Sequence, residues 1–550
     1  MHLTRKRKEC LILFLILTVA VFFRFYQLDL IPPGLWPDEA ANGVDALKAL
    51  DSTNFSAEGG PDFGWKIFYP ANNGREGLFI NMQAVSIWLF GATPFALRVV
   101  SAIIGTLTVL GLYLLAKQLF DRKIASVAAF FMAISFWHVN FSRIGFRAIM
   151  LPFILVFAFY FLWRGLRNGK LGEFFVAGIL GGLGFYTYFS YRIVPLIAII
   201  LFLSYWYYLK KDFSHAKYEY ARNQLLRGFA LLTLTVIVIA MPLGLYFYGH
   251  PQDFLKREGR PISVFSQEQP LKELALSTIK TLAMFNFGGD YNQRHNIPGS
   301  LQLVLPIGLL FAVGFLKELA HWLSRKHGHF SPTHTFMFSW FFIMLIPGFL
   351  STEAPHALRT IGVIPIVMIF SAQGFWWLIN NLTRLHHITD PHAQFDVKTH
   401  RHEASLLIGI TIVVSLTSLG FLEFSRYFQS WGRDLSTKNS FAQNYIDISN
   451  YLNQSDSKII KYVLVNEGDV MVDNVPNNAQ TIKYLTQSHS DISSKQKNIY
   501  YLRTDQLASQ KLPPHYILIP ISRDIGSKND LIHNYGLKLT SYGTFVVFSK

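Results

Sequence analysis

The residues best suited to chemistry lie in one short stretch near the start of the chain. Residues 31–42 read I-P-P-G-L-W-P-D-E-A-A-N, so two adjacent acids, Asp38 and Glu39, follow a tryptophan and three prolines. Pro37 fixes its own φ, which predicts that Asp38 caps a helix over residues 39–50. A carboxylate held in such a turn can also take a proton from an attacking hydroxyl or amine. On these residues alone, a helix cap and a catalytic base both stay open.

Hydrophobic segments recur along most of the chain, and they must hold residues 31–42 in place. Of the 550 residues, 51% are hydrophobic and 15% are charged. The apolar residues come in long blocks, which indicates a multi-pass α-helical membrane protein. The net charge of +16 comes largely from short loops between these blocks, so it reflects topology and predicts no nucleic-acid partner. The single cysteine, Cys10, excludes an intramolecular disulfide.

The charges in the loops predict how the chain crosses the membrane. Residues 5–8 are basic and precede an apolar block, which we interpret as a retained first helix rather than a signal peptide. Residues 77–91 are apolar but short. If they lie in the outer interface without crossing, every later basic loop falls inside, and about eleven spans result. The other apolar blocks are residues 95–116, 124–140, 148–163, 174–190, 193–209, 228–248, 301–316, 335–350, 356–380 and 404–424.

After residue 424 the chain becomes polar. We predict a membrane domain over residues 1–430, with a large first outer loop at 29–76, and an extracytoplasmic α/β domain over 433–550. Gly543 predicts a terminal hairpin between the last two of five β-rich runs. No phosphate-binding loop, dinucleotide fingerprint or Cys/His metal pattern occurs in this part. The five runs are residues 462–465, 498–502, 516–521, 538–542 and 545–549.

The predicted outer loops hold many ionisable and aromatic residues, which we interpret as a functional face. Ordinary solvated loops with arginines at the lipid headgroups are the alternative. Such a face suits transfer of a sugar from a lipid phosphate, because arginine binds phosphate bidentately and a carboxylate can deprotonate the acceptor. The set consists of Asp38, Glu39, Arg75, Glu76, Arg143, Arg147, Tyr186, Tyr188, Arg192, Asp290, Arg294, His295, Glu353, His356 and Arg359.

A first membrane helix followed by W-P-D-E-A resembles the polyprenyl-phosphate-dependent glycosyltransferases of the C superfamily, especially the protein O-mannosyltransferases and the lipid A aminoarabinose transferases. The resemblance implies a cell-membrane enzyme that moves a sugar, with inversion, from a polyprenyl-phosphate donor to an extracytoplasmic protein, lipid or cell-wall glycan. Its site and C-terminal domain would face outside. The resemblance extends through G-R-E-G-L-F (74–79), A-L-R (96–98), F-S-R-I-G-F-R (141–147), N-F-G-G-D-Y-N-Q-R-H-N-I-P-G (286–299) and E-A-P-H-A-L-R-T-I-G (353–362).

The resemblance also implies roles for single residues. Asp38 matches the catalytic base, Glu39 would orient the site or help to bind an ion, and Glu76 matches an acidic or histidine position. Many relatives carry a second acid where this chain reads S-R-I-G at residues 142–145. Its absence predicts metal-independent chemistry, or at most a weakly held divalent cation. The candidate phosphate ligands are Arg143, Arg147, Arg294 and Arg359, and the further substrate-binding candidates are Arg75, Tyr186, Tyr188, Asp290, His295 and His356.

Two other functions stay open on the sequence. A transporter or flippase of lipid-linked glycans would favour charges at mid-membrane and repeats with broken helices. A ligase or polymerase of polyprenyl-diphosphate glycans would also use arginines, but the early Asp-Glu pair favours a monophosphate donor. Several candidates have structural alternatives too: Asp290, Arg294 and His295 could simply fix their glycine-rich loop.

Overall fold

The computed structural model describes residues 4–51, 64–255, 263–324, 331–389, 397–465, 470–472, 475–522 and 528–550. The membrane part is helical, apart from a short antiparallel pair formed by β1 (Phe68–Tyr69) and β2 (Arg75–Glu76). Its helices are α1 (Arg5–Phe25), α2 (Pro37–Leu50), α3 (Gly77–Phe90), α4 (Pro94–Leu119), α5 (Arg122–Ile134), α6 (Phe136–Phe141), α7 (Met150–Asn168), α8 (Leu171–Gly184), α9 (Val194–Asp212), α10 (His215–Gly249), α11 (Pro251–Leu255), α12 (Pro270–Ala283), α13 (Leu305–Leu323), α14 (Pro332–Phe349), α15 (Ile364–Thr389) and α16 (Val397–Phe424).

Within the described residues, 7 helical segments are long and apolar enough to cross a membrane. The predicted multi-pass membrane class is confirmed, whereas the predicted count of about eleven spans stays a prediction. The other four predicted spans fall on α1, on α5 with α6, on α8 and on α14. The qualifying segments are Pro94–Leu119, Arg147–Asn168, Phe189–Asp212, His215–Gly249, Leu305–Leu323, Ile361–Leu382 and Leu407–Arg433.

Three details differ from or refine the predicted spans. The block at 124–140 is two helices, because the backbone of Ser135 leaves the helical region with ψ of 121°. Residues 215–227, predicted to lie in a basic inner loop, are instead the start of the 35-residue helix α10. Helix α3 has 14 residues and so extends only about 21 Å, less than the ~30 Å hydrocarbon core, which agrees with a segment that does not cross.

The membrane helices approach closely where they carry glycine. A Cβ atom on Gly314 of α13 would lie 1.8 Å from the carbonyl oxygen of Phe370 on α15, so the two backbones touch. Gly111 of α4 similarly faces Val156 of α7, where an added Cβ would meet a methyl group at 2.5 Å. Small residues at such crossings let helices pack by van der Waals contact where no hydrophobic driving force separates protein from lipid.

The C-terminal part is a small α/β unit, as predicted. Its main sheet has the strand order β6-β3-β7-β9-β8, with the first three parallel and the last two antiparallel. The strands are β3 (Ile460–Val465), β4 (Met471–Val472), β5 (Val475–Pro476), β6 (Ile499–Arg503), β7 (Tyr516–Pro520), β8 (Lys538–Ser541) and β9 (Val546–Ser549). The helices are α17 (Leu435–Ser440), α18 (Gln443–Gln454), α19 (Gln480–Leu485), α20 (Asp491–Lys497) and α21 (Lys528–Tyr535).

The sheet confirms all five predicted β-rich runs, to within two residues at each end. The predicted terminal hairpin is confirmed as well, since β8 pairs antiparallel with β9 and Gly543 has a positive φ of 74°. The short β4–β5 pair was not predicted, because two-residue strands carry no alternation to detect. The predicted domain boundaries at residues 430 and 433 stay predictions.

Helix α19 of the C-terminal part packs on α2, the helix that begins beside Asp38. The ring of Tyr484 lies over Gly43, where a Cβ atom would come within 2.6 Å of it. Tyr484 donates its hydroxyl hydrogen to the carbonyl of Thr93 at 3.0 Å, and Thr481 donates to the carbonyl of Leu35 at 2.9 Å. The C-terminal part is therefore fixed against the stretch that holds the two acids.

The orientation in the membrane can be tested by cysteine labelling in a Cys10→Ser background. We expect Lys170→Cys and Lys211→Cys, at predicted inner helix ends, to resist an impermeant thiol reagent in intact cells. Lys438→Cys and Lys511→Cys, in the C-terminal part, should react. All four positions are exposed, so access depends on the side of the membrane. Labelling of the first pair alone would reverse the predicted orientation.

Candidate active site

Asp38 lies in the first turn of α2 but does not cap it. Trp36 precedes the helix without a side-chain cap and Pro37 takes the first position, so the predicted capping role of Asp38 is wrong. The Asp38 carboxylate is half-buried and accepts three hydrogen bonds. Trp36 Nε1–H donates to Oδ2 at 3.1 Å, Asn72 donates to Oδ1 at 3.1 Å, and Asn477 donates to Oδ1 at 2.8 Å. These neutral donors fix the carboxylate without neutralising its charge.

Asp38 opens onto a cavity of about 690 Å³ at one end of the helix bundle. The cavity lies where α7 and α9 begin and α14 ends, and α2 and the turn before β2 close it on another side. The predicted outer loops therefore do meet at one face. The lining residues are Asp38, Asn42, Asn72, Asn73, Arg75, Phe146, Arg147, Ala148, Tyr188, Phe189, Ser190, Arg192, Ile193, Ser263, Ile346, Pro347, Leu350, Leu358 and Arg359.

Basic side chains dominate the charge of this cavity. Among the described lining residues there are four arginines, Arg75, Arg147, Arg192 and Arg359, and Asp38 is the single acid. Acids outside the lining hold three of these arginines in place. Arg147 pairs with Glu76 at 2.6 Å, Arg359 pairs with Glu353 at 2.5 Å, and Arg75 pairs with Asp45. A cavity of this composition favours an anionic ligand.

The cavity also has a polar and an apolar side. Its polar lining includes the side-chain amides of Asn42, Asn72 and Asn73, a group type that can bind hydroxyl groups. The Asn42 amide already donates to the carbonyl of Gly145 and accepts from Arg75, and Asn72 already donates to Asp38. Its apolar lining includes side chains from the segment before α9, the end of α14 and the segment before α15, namely Phe189, Ile193, Ile346, Pro347, Leu350 and Leu358. A ligand with a polyhydroxyl end, a phosphate and a hydrocarbon end matches all three regions.

Arg143 is not at the cavity, contrary to its predicted role as a phosphate ligand. Its side chain is fully buried and donates to backbone carbonyls at the end of α1 and just beyond it. The acceptors are Phe23 at 3.0 Å, Tyr26 at 2.7 Å, Gln27 at 3.0 Å and Ile31 at 2.7 and 3.2 Å. Burial lowers the pKa of Arg143 to about 10, so the guanidinium stays charged at neutral pH and binds the chain that leads to Asp38.

Glu39 is also a framework residue in this structure. Its carboxylate is fully buried and pairs with Arg98 at 3.3 Å. The same oxygen accepts the backbone N–H of Gly145 at 2.7 Å. Because Arg147 is two residues further on, Glu39 orients the loop that places a cavity arginine. Glu39 was predicted to be catalytic together with Asp38, but its burial separates it from the cavity, and its role in orienting the site stays a prediction.

Arg294 adjoins the cavity through Trp36. Its guanidinium lies 3.7 Å from the centre of the Trp36 ring, whose N–H holds Asp38. Burial lowers the pKa of Arg294 below its ordinary value, and the negative charge of Asp38 opposes this shift. Arg294 therefore packs on the Trp36 ring and places a positive charge near Asp38. It is not among the residues that line the cavity, contrary to its predicted role as a phosphate ligand.

Asp290, His295 and His356 form a buried cluster next to this arginine. Their ligand atoms lie within 4.8 Å of one another, so they could hold a metal ion. Asp290 Oδ2 already accepts from His295 Nδ1 and from the backbone of Ala357, at 2.9 and 2.8 Å. Burial raises the pKa of Asp290, but the hydrogen bond and charge of His295 outweigh it and leave the pKa below its ordinary value. These bonds fix the 290–295 loop, as in the structural alternative, and join it to the segment between α14 and α15.

Of the two tyrosines predicted to bind substrate, Tyr188 lies at the cavity and Tyr186 does not. Tyr188 lines the cavity, with the Arg147 guanidinium 5.9 Å from its ring centre. Tyr186 instead donates to the carbonyl of Ile239 at 2.9 Å and packs on α10. The two residues point to opposite sides of the segment before α9, so Tyr186 belongs to the helix packing and not to the cavity.

Four asparagines at the site were not among the predicted residues, and Arg192 had no predicted role. Asn42 lies one helical turn after Asp38, a spacing that could have indicated it. Asn72 and Asn73 both have positive φ, at 47° and 69°, which fits an N-N-G turn. Asn477 lies 439 residues from Asp38, so no local pattern could have linked them.

The sequence comparisons cover the first half of the membrane part. Residues 78–241 match the family described as dolichyl-phosphate-mannose-protein mannosyltransferase. The putative mannosyltransferase YkcB of Bacillus subtilis (strain 168) is 27% identical over 207 residues, which are 36% of this chain and 26% of the relative. The chain therefore spans about a quarter of the length of that curated relative.

Solved structures match nearly the whole chain. ArnT from Cupriavidus metallidurans, in the apo state, has a TM-score of 0.57 at 13% identity, over 98% of this chain and 97% of ArnT. The chain therefore shares its overall fold with ArnT. The Archaeoglobus fulgidus oligosaccharyltransferase, tethered with an acceptor peptide, has a TM-score of 0.52 at 14% identity, over 94% of this chain and 69% of its own. The resemblance predicted from the sequence is confirmed.

The two neighbouring arginines of the 141–147 segment give a matched pair for mutation. Arg147→Lys keeps the charge at the cavity but loses the bidentate fork, so we expect KM for a polyprenyl-phosphate sugar to rise about tenfold with an unchanged melting temperature. Arg143→Lys should lower the melting temperature, because one ammonium cannot satisfy four carbonyls, while KM of the folded fraction stays normal. A raised KM in Arg143→Lys, together with a lowered melting temperature in Arg147→Lys, would show that Arg143 and not Arg147 binds the phosphate.

Proposed function

We propose that this protein transfers a sugar from a polyprenyl-phosphate donor to an extracytoplasmic acceptor, with Asp38 as the general base. The observation that carries the proposal is one carboxylate facing four arginines in a cavity with an apolar side. Arginine stabilises the leaving phosphate, and an ionised acid removes the acceptor proton. The similar proteins indicate the class of reaction, and the cavity lining indicates which residues would carry it out.

In the proposed reaction, the three parts of the donor lie in different parts of the cavity. The prenyl chain lies along the apolar side, and Arg147 and Arg359 face the phosphate. The sugar lies among the asparagines, with its anomeric carbon towards Asp38. The acceptor hydroxyl or amine attacks that carbon while Asp38 takes its proton, and the bond to the phosphate oxygen breaks, so that the lipid phosphate leaves with the electron pair. Attack opposite the leaving group inverts the anomeric centre.

Two solved neighbours support a lipid-phosphate ligand. ArnT from Cupriavidus metallidurans has been solved bound to undecaprenyl phosphate. The archaeal oligosaccharyltransferase AglB from Archaeoglobus fulgidus has been solved with a dolichol-phosphate and an inhibitory peptide. Their folds match this chain with TM-scores of 0.55 and 0.51. The donor class is transferred to this chain as a proposal, together with a site that faces outside. The weakly held divalent cation stays a prediction.

A transporter or flippase is less well supported. Such a protein would need a pathway through the bilayer with binding groups near its centre. The cavity charges instead lie on the first turn of α2, on β2 and in the segments just before α7, α9 and α15. A charged site at one end of the bundle fits a surface reaction on a lipid that is already on that side.

Asp38→Asn tests the general base. The substitution keeps the side-chain shape. It removes no helix cap, because Asp38 does not cap α2. We expect turnover to fall by ~100-fold or more, while donor affinity and melting temperature stay close to wild type. The assay is sugar transfer from purified polyprenyl-phosphate donors.

Asp29→Asn is the matched control, because Asp29 is an exposed acid that precedes the same turn. It should leave turnover unchanged. Near-normal transfer by Asp38→Asn would remove Asp38 from the chemistry. Glu39→Gln serves as a contrast, since it leaves buried Arg98 without its counter-ion and should lower the melting temperature.

A further inference from the structure

One of the three groups that hold the Asp38 carboxylate comes from the C-terminal part of the chain. Asn477 Nδ2 donates to Asp38 Oδ1 at 2.8 Å, the shortest of the three hydrogen bonds, while Asn72 and Trp36 donate at 3.1 Å. A donor aimed at an ionised oxygen makes a stronger bond than a neutral pair. The membrane part alone would leave Asp38 with two of its three donors.

Asn477 is held in place by the docking of its own unit. It begins the short turn Asn477–Ala479 that leads into α19, and Gln480 and Thr481 at the start of that helix are buried. Thr481 binds the carbonyl of Leu35, one residue before Trp36. The turn therefore reaches Asp38 along the same surface that fixes α19 on α2.

A second contact of the C-terminal part surrounds the same turn. Gly34 has a positive φ of 76°, and a Cβ atom there would lie 2.3 Å from the carbonyl oxygen of Phe441 and 2.8 Å from the nitrogen of Gln443. The backbone at the start of α18 thus lies directly on the stretch before Asp38. Two separate segments of the C-terminal part enclose the turn, so the position of Asp38 depends on both.

The Asn477 amide also has unused capacity. Its Oδ1 atom is buried and has no hydrogen-bond partner among the described residues. A side-chain amide can donate through nitrogen and accept through oxygen at the same time. Among the described residues, the Asn477 side chain is therefore held by its hydrogen bond to Asp38 alone.

We propose that Asn477 is a positioning residue for Asp38, and that the C-terminal part thereby completes the site for the incoming acceptor. This inference rests on the proposed function. Asn477 fixes the carboxylate by its hydrogen bond, and it is not among the residues that line the cavity with Arg147 and Arg359. Its loss impairs turnover and leaves donor binding intact.

Asn477→Ala and Asn477→Asp test this role, with Asn478→Ala as the matched control. We expect Asn477→Ala to lower kcat about tenfold or more, with KM for the polyprenyl-phosphate donor within about twofold. Asn477→Asp should lower kcat further, because it replaces the donor with a second carboxylate beside Asp38. Asn478 makes no hydrogen bond to Asp38 among the described residues, so its substitution should leave kcat unchanged.

A double mutant separates positioning from a general structural effect. In an Asp38→Asn background, Asn477→Ala should cost little further turnover, because the group that it positions is already gone. An equal fold-loss in both backgrounds, or wild-type kcat in Asn477→Ala, overturns the proposal. So does a loss in Asn478→Ala as large as in Asn477→Ala.

A cysteine pair tests the contact without using activity. Asn72 and Asn477 both donate to the same Asp38 oxygen, so Asn72→Cys with Asn477→Cys, in a Cys10→Ser background, should be joined by a short bifunctional thiol reagent, which spans the intervening carboxylate that a direct disulfide would not. Failure to cross-link overturns the contact. Cross-linking of the cysteine pair, combined with no sugar transfer by the wild-type protein from any polyprenyl-phosphate donor, overturns the proposed function and, with it, the role of Asn477, while the contact itself stands. Wild-type transfer with unaffected Asn477 variants overturns only the present inference.

Discussion

Two buried guanidinium groups hold the segment on which the site depends. Arg143 binds carbonyls between Phe23 and Ile31, and Arg98 binds those of Pro32 and Gly34 at 2.8 and 2.7 Å. Both side chains are fully buried. Burying a charge is costly unless hydrogen bonds satisfy it, so these arginines are stable only where the carbonyls converge. The non-helical chain between α1 and α2 is fixed for the same reason, since its carbonyls have few other donors.

The same network extends from the framework to the cavity. Glu39 balances the charge of Arg98 and accepts the backbone N–H of Gly145. Gly145 precedes Arg147, and Arg147 is aimed by Glu76. Glu39 thus holds the loop that carries Arg147, whereas Asp38 itself lines the cavity. The two adjacent acids therefore have different roles. Asp38 remains half-buried at the cavity, whereas Glu39 points into the protein.

The division of the cavity follows from its place at the end of the bundle. Helix ends bring apolar side chains from inside the bundle next to polar ones from the loops. The apolar side then continues from α14 and α9, and the asparagines and arginines come from the turns. A ligand with a hydrocarbon chain, a phosphate and a sugar can bind there without leaving the membrane surface. The C-terminal part packs on the segment before Asp38 and on α2 through α18 and α19.

The sequence by itself determined the class of the fold and the central residue. Long apolar blocks predicted a multi-pass membrane protein, and alternation over short runs predicted the C-terminal strands, because both signals are local and follow from burial and backbone period. Proline, tryptophan and two acids after the first helix indicated Asp38. The sequence did not distinguish Arg143 from Arg147, which have the same type and lie four residues apart.

Only the tertiary structure decided which charged residues reach the cavity. Arg143 and Glu39 turn inwards because carbonyls and Arg98 satisfy them there, while Arg147 turns outwards against Glu76. Asn477 joins Asp38 across 439 residues through the docking of α19 on α2. Such pairings depend on which surfaces pack together, and no spacing along the chain encodes them.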